Sequence, residues 1–232
     1  ANTLDLSAEW YFAPRAFLGI GLFYKDIKSF IQTARVTQPF SASGLPTSLL
    51  TGLGVSANDQ FTFSQPVNTP GGSLKGLEIN YQQPFSFLPG ALANFGTLLN
   101  YTFVDSKIRY LSTLASSGFI QADLTGLSKN AFNATLYYED KAFSARVSAA
   151  YRDNYLTAVP SGTSFNDADG VRSTLTFDTS ISYALNSHIK LTLEGLNLTD
   201  QFNQQFTDTN RDSILVNSHT GRQFYLGVRY AF

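Results

Sequence analysis

Apolar residues in this chain hold one parity over runs of roughly ten positions and then stop at turn-forming residues, the mark of strands with one apolar face. In the first run Leu4, Leu6, Ala8, Trp10 and Phe12 share a face, opposite Asp5, Ser7, Glu9 and Tyr11. In the last, Phe224, Leu226, Val228, Tyr230 and Phe232 oppose Gln223, Tyr225, Gly227, Arg229 and Ala231. Between them, Phe132, Ala134, Leu136 and Tyr138, then Phe143, Ala145, Val147, Ala149 and Tyr151, then Leu175, Phe177, Ile181 and Tyr183 repeat the pattern. A helical period would mix the two sets. Parity changes between Leu193 and Leu196, which predicts a β-bulge at or near Gly195.

The pattern predicts nine strands, near 2–12, 15–31, 73–88, 94–105, 128–139, 142–156, 173–186, 188–199 and 221–232. Connections alternate in length. Short ones fall at Ala13-Pro14-Arg15, Pro89-Gly90, Asp140-Lys141 and Asn186-Ser187, and long polar ones at about 32–72, 106–127, 157–172 and 201–220. A soluble sandwich has no reason to lengthen every second loop, whereas outer-membrane barrels have short periplasmic turns and long external loops. The expected fold is therefore all-β, a transmembrane antiparallel up-and-down barrel. An odd strand count, with edges that lipid cannot hydrogen-bond, predicts further strands from sequence preceding Ala1. The alternative is one subunit of a barrel assembled from several chains.

Composition sharpens this picture. Aromatic residues reach 14% and charged residues only 14%, against roughly 25% charged in soluble globular chains. Mean hydropathy is nevertheless −0.07, and no run approaches the roughly 18 apolar residues of a membrane helix. Alternating lipid-facing and lumen-facing residues average out in this way. The absence of cysteine removes disulfides, thiolate metal sites and thiol nucleophiles, and a net charge of −1 offers no field to attract nucleic acid.

Three stretches carry a family resemblance. Gly221 to Phe232, Gly-Arg-Gln-Phe-Tyr-Leu-Gly-Val-Arg-Tyr-Ala-Phe, resembles the C-terminal strand of TonB-dependent receptors. Leu193-Glu194-Gly195-Leu196-Asn197-Leu198-Thr199-Asp200-Gln201-Phe202 resembles their penultimate strand with its Asn-Leu-Phe-Asp element, Thr199 replacing the usual Phe. Leu74 to Gly90, followed by Asn100 to Ser106, is similar to their mid-barrel pattern. The resemblance implies the last nine strands of a barrel of about 22, occupying residues 1–232, with the plug and earlier strands absent from this sequence. It also implies an outer-membrane location, Tyr230 and Phe232 as the signal read by the barrel-assembly machinery, and a TonB-type energy transducer engaging a missing N-terminal region. The function implied is active uptake of a scarce small solute such as a carbohydrate or siderophore. The alternatives are a passive porin or structural barrel and, less favoured, an outer-membrane hydrolase.

No catalytic residue or cofactor is expected. The two histidines, His188 at an inner turn and His219 in an external loop, lie at opposite ends of the barrel and read as turn and loop polarity, which disfavours a histidine base paired with a serine nucleophile. Asp208, Asn210 and Asp212 alternate as in a calcium loop, but Ser213 and His219 stand where that loop needs Gly and Glu, so no metal is assigned. Asn166, Asp167, Asp169 and Gly170 read as a second, solvated polar cluster. The lumen-facing charges Asp5, Glu9, Glu78, Glu139, Arg146, Arg152, Asp178, Lys190, Glu194 and Arg229 are mixed in sign and are expected to pair with one another, with water and with a plug. Solute contact is placed in the external loops, at Asp208, Asn210, Arg211 and Asp212.

Overall fold

Nine long strands follow one another as antiparallel neighbours in a single curved sheet. The structure is a computed structural model, and it describes residues 1–112, 114–162 and 166–232. The long strands are β1 (Asn2–Ala13), β2 (Ala16–Pro39), β3 (Gln60–Pro84), β4 (Phe95–Leu111), β6 (Asn130–Glu139), β7 (Phe143–Arg152), β10 (Thr174–Ala184), β11 (Ile189–Leu196) and β14 (Gln223–Tyr230). Short strands occupy the long connections: β5 (Phe119–Ala122) pairs with β4, while β8 (Tyr155–Ala158), β9 (Asp169–Val171), β12 (Asn203–Thr207) and β13 (Ser213–Ser218) form a second sheet ordered β13-β12-β9-β8. No helix among the described residues is long and apolar enough to cross a membrane, which says nothing about strands.

Register explains why the alternation is so regular. Apolar residues line up across the sheet in lanes such as Trp10–Leu18–Tyr81–Leu99–Ala134–Ala149–Phe177 and Phe95–Tyr138–Ala145–Ile181–Leu193–Leu226. The opposite face carries Asn80–Asn100–Asn133–Ala150–Thr176 and Thr135–Ser148–Asp178. The apolar face is uncovered, with Leu6 68% and Leu226 81% exposed. An apolar surface of that extent is incompatible with water but matches a hydrocarbon boundary.

Two aromatic girdles bound the apolar face. Near the short turns stand Trp10, Phe12, Tyr81, Phe95, Tyr138, Phe143, Tyr183, Tyr230 and Phe232, with ring contacts such as Phe95–Tyr138 at 4.9 Å and Tyr230–Phe232 at 5.2 Å. Near the long loops stand Tyr24, Tyr101, Phe103, Phe132 and Tyr151, the last two 5.2 Å apart. Phe143 and Tyr151 lie on one strand. Their separation is ~27 Å along the chain, or ~20 Å vertically at the usual strand tilt, close to the height of a barrel's apolar band.

The strands run further than their sequence pattern predicts. β2 continues to Pro39 and β3 starts at Gln60, so the expected 32–72 loop shrinks to the hairpin end, with short 3-10 turns at Phe40–Ala42 and Thr47–Leu50. β4 leaves β3 at Gly72, and beyond that point one edge of β3 has no strand partner among the described residues. Pro66 and Pro70, which lack an N–H, are tolerated in such an edge. Gly71 and Gly72 allow the close approach at the branch: a Cβ would lie 1.8 Å from the Ile27 carbonyl oxygen and 1.9 Å from that of Lys107, respectively.

A small core lies beyond the outer girdle, where Ile108, Tyr110, Val159 and Ala168 pack with Ile27, Phe30, Ile120 and Leu156. Gln32 clamps it, donating to the Leu111 and Val159 carbonyls and accepting from the Leu111 N–H. The Tyr110 hydroxyl donates to the Asp123 carbonyl and accepts from the Thr125 N–H.

The parity change falls at Asn197 rather than Gly195, which keeps its regular pairings with Thr179 and Phe224. Asn197 has φ 53, and the Leu198 N–H takes the Phe177 carbonyl in its place. Its side chain donates to the Gln201 and Gly221 carbonyls and accepts from the Gln201 N–H. Asp200 has φ 57. Asn and Asp tolerate this left-handed geometry better than other non-glycine residues, so the Asn-Leu-Thr-Asp element has a backbone reason.

Candidate functional site

The inward face divides into a lower hollow and an upper mouth. Tyr137, Glu139, Arg146, Asp178, Lys190 and Glu194, from β6, β7, β10 and β11, line the hollow. Serine and threonine hydroxyls tie its strands together, with Thr135–Ser148 at 2.8 Å and Ser144–Ser182 at 2.7 Å. The charges do not pair with one another as expected. Among the described residues no ion pair joins any two of the ten lumen-facing groups; the ion pairs are Lys28–Asp26, Lys75–Asp105, Arg172–Asp212, Arg211–Asp208 and His219–Asp200. Register is the reason: the cross-strand neighbours of these charges are uncharged residues or a group of like sign, as at Ser180–Arg146, Ala184–Lys190 and Lys190–Arg229.

At the mouth, Arg152 ends β7 with its guanidinium 3.8 Å from the centre of the Tyr155 ring and its Nε donating to Ser128 Oγ at 3.1 Å. Thr102, Asn133, Thr174 and Thr176 line the same recess. Stacking and one hydrogen bond fix the guanidinium plane, and its remaining N–H groups, which have no partner among the described residues, can donate to an oxygen-bearing solute. Arg152 is legible in sequence only as one lumen charge among ten; its stack depends on the turn at 153–154 that brings Tyr155 back over it.

The four loop residues expected to contact solute are gathered at the β12–β13 tip. Asp208 Oδ1 accepts from the Asn210 and Arg211 N–H groups, and the Asp212 N–H donates to the Asp208 carbonyl at 2.7 Å. Asp208 and Asp212 both take positive φ, 66 and 52. Asp212 Oδ2 also accepts from Arg172 Nη1 at 2.6 Å. The two carboxylates thus build the turn, while Asn210 and Arg211 are exposed, Arg211 with its Nε 3.7 Å from Asp208 Oδ2.

The Asn166–Gly170 stretch is not the solvated cluster expected. Asp169 is buried and accepts from the Gly162 N–H, and Asp167 accepts from the Thr209 and Ala168 N–H groups. Burial pushes the Asp167 carboxyl up, but its hydrogen bonds with Thr209 and Ala168 outweigh this and hold it below the ordinary carboxylate range. These residues tether the loops; no group of three or more His, Cys, Asp or Glu among the described residues is placed to hold a metal. His188 lies at the inner turn, its Nδ1 2.9 Å from the Ala231 carbonyl, and His219 at the outer end, stacked on Phe202 and 2.8 Å from Asp200.

A sheet with one lipid-matched face, one polar concave face, short inner turns and folded outer loops defines the wall of an outer-membrane-type β-barrel. The family profile described as "TonB dependent receptor-like, beta-barrel" matches residues 1–198, and the chain belongs to that family. Similar solved structures include the siderophore receptor PiuA from Acinetobacter baumannii, at TM-score 0.58 and 17% identity over 98% of this chain and 28% of that one. Two point mutants of the ferric enterobactin receptor PfeA from Pseudomonas aeruginosa, one in complex with enterobactin, give TM-scores of 0.60 and 0.59 at 17% identity, each over 99% of this chain and 31% of that one. The chain thus spans about three-tenths of the length of these receptors. No curated protein matches it.

Proposed function

We propose that the protein is an outer-membrane receptor that takes up a scarce small solute by a TonB-energised route. Residues 1–232 supply the last nine strands of one barrel of about 22, and a plug and the earlier strands come from sequence N-terminal to them. The observation that carries this reading is the family match over residues 1–198. The unpaired lumen charges add support. A polar body filling the lumen would meet Arg146, Lys190, Glu139 and Glu194 with complementary groups, which favours a plugged receptor over an open porin.

In this reading solute first meets Asn210 and Arg211 on the tip shaped by Asp208 and Asp212, then Arg152 at the mouth. A guanidinium held on a ring suits a solute with acceptor oxygens and a flat face, as in the siderophore and carbohydrate classes. Tyr230, which ends β14, and Phe232, two residues beyond it, act as the signal for the barrel-assembly machinery. The test is labelled-solute uptake in cells with and without the gene, before and after collapse of the proton gradient. Gene-dependent uptake that stops with the gradient is expected; gene-dependent uptake that persists without it identifies a passive porin.

A further inference from the structure

Arg152 is held by a chain of hydrogen bonds that runs through the barrel wall. Its Nε donates to Ser128 Oγ at 3.1 Å, and the same hydroxyl donates to the Asp153 carbonyl at 2.7 Å. With its one proton committed there, Ser128 turns an oxygen lone pair toward the guanidinium. Asp153 is fixed in turn: its carboxylate accepts from the Asn130 N–H and Nδ2 at 3.0 and 2.6 Å, and from the Tyr151 hydroxyl at 2.5 Å. Asn130 Oδ1 accepts from the Tyr101 hydroxyl at 2.7 Å, so two girdle tyrosines brace the far end of the chain. Ser128 takes Nε and the Tyr155 ring takes one face of the guanidinium. What remains is the fork of its two Nη atoms, which has no partner among the described residues.

The recess beside that fork has a volume of about 420 Å³, within the range of small-molecule sites. Register explains its depth and its chemistry. In the lane of Arg152 the neighbours are Thr174 on one side and Ala131, then Thr102, on the other; the next lane toward the inner turns brings Asn133, Ala150 and Thr176. The two alanines end at a methyl and leave the hollow, while the threonines and Asn133 ring it with hydroxyl and amide groups. Among the described residues Arg152 is the one charged group in its lining. The carboxylate in the same lane is Glu78, three strands away, or ~14 Å at the usual strand spacing. That of Asp153 is already bound by Asn130 and Tyr151.

We propose that this recess is a subsite for a single carboxylate carried among hydroxyl groups. It rests on the reading of the protein as a solute receptor and names the class of that solute. A planar carboxylate matches the Nη fork with two parallel N–H···O bonds. A phosphate carries roughly two negative charges near neutral pH and would meet one cation. A neutral solute filling the recess would leave the guanidinium desolvated and unpaired. Hydroxyl groups beside the carboxylate meet Thr102, Thr174 and Thr176, each able to donate and to accept. Two sources share this chemistry, the uronic-acid unit of a saccharide and the hydroxycarboxylate arm of a metal chelate. Ser128 is a positioning residue that acts through Arg152 by setting the plane of the fork.

Titration calorimetry on the full-length protein in detergent micelles tests this with four probes: trigalacturonate, its methyl ester, galactose 1-phosphate and ferric citrate. At least one of the two acids is expected to bind, and which one does so identifies the source. R152Q is expected to weaken that acid roughly tenfold, S128A about threefold with S128T recovering the loss, and K107Q on the outer surface not at all. The ester and the sugar phosphate are expected to bind about tenfold more weakly than the acid or less, and equally to the wild type and S128A. A merely structural role for Ser128 would lower every probe alike. Binding of neither acid, an acid indifferent to R152Q, or equal affinity for the ester or the phosphate overturns the proposal. Gradient-dependent uptake of a neutral or phosphorylated solute would leave the receptor reading standing while this subsite falls; uptake that ignores the gradient removes the receptor reading itself.

Discussion

Placing arginine along β7 separates the lipid face from the lumen face. Val147 lies midway between the girdle residues Phe143 and Tyr151, flanked by Leu136 and Thr179, and is 48% exposed. Arginine at the bilayer midplane of a barrel costs ~2–4 kcal/mol, falling to ~0–1 kcal/mol at the interfaces. Val147→Arg is therefore expected to cost ~3 kcal/mol, and Ala145→Arg and Ala149→Arg ~1–2 kcal/mol each, from their intermediate depths. Ser148, one residue along, faces the lumen and shares a hydroxyl hydrogen bond with Thr135. Ser148→Arg loses that bond and pays no lipid cost, so ~1 kcal/mol is expected. Urea unfolding of the full-length protein in phosphatidylcholine vesicles reads the four values. A dome over the odd positions with a low value at 148 supports the assignment of faces; a flat odd series, or Ser148→Arg as costly as Val147→Arg, refutes it.

Other consequences are open to direct measurement. Asn197→Ala forces alanine to φ 53 and deletes the bonds to Gln201 and Gly221, so a loss of ~2–4 kcal/mol is expected in the same unfolding assay, with Asn197→Gly recovering only the strain. Gly72→Ala drives a methyl against the Lys107 backbone and should cost ~3 kcal/mol, with limited proteolysis showing that the outer extensions of β2 and β3 loosen first. Asp140, in the inner turn, has its carboxyl held below the ordinary 3.8 by N–H groups of Phe143 and Ala142 and by the Tyr138 hydroxyl. Its stabilising effect is complete above the unfolded-state pKa and is lost as pH falls through the lower folded one. Asp140→Ala should therefore lower the melting temperature near neutral pH and flatten its acid dependence below about pH 4. Arg152→Ala is expected to weaken solute binding about tenfold, and Arg152→Lys to restore only part, as titration calorimetry on the intact receptor would show.

The membrane-level strands were legible because each outward residue meets one solvent and each inward residue another, so every register step imprints a period of two on the sequence. That imprint fades above the girdle. There β2 and β3 are flanked by loops rather than lipid, Ile27 and Phe30 of β2 pack inward on the Tyr110–Val159 core, and prolines at 66 and 70 of β3 mimic a loop. β9 pairs with β12, far along the chain, and no local pattern announces that contact, which joins the β8–β9 and β12–β13 pairs into one sheet. Asp208 and Asp212 were visible as a polar cluster, yet their use as turn-formers depends on positive φ that sequence does not display. The unpaired state of Arg146 and Lys190 likewise follows from register, which sets them opposite Ser180 and Ala184.

The central claim is that these nine strands close only as part of a larger barrel, and the intact mass of the protein isolated from its native outer membrane tests it most directly. A mass roughly threefold above 25.4 kDa is predicted, since the chain covers 28–31% of the similar receptors. A native polypeptide of 25.4 kDa would contradict the account and require the sheet to close between copies of this chain.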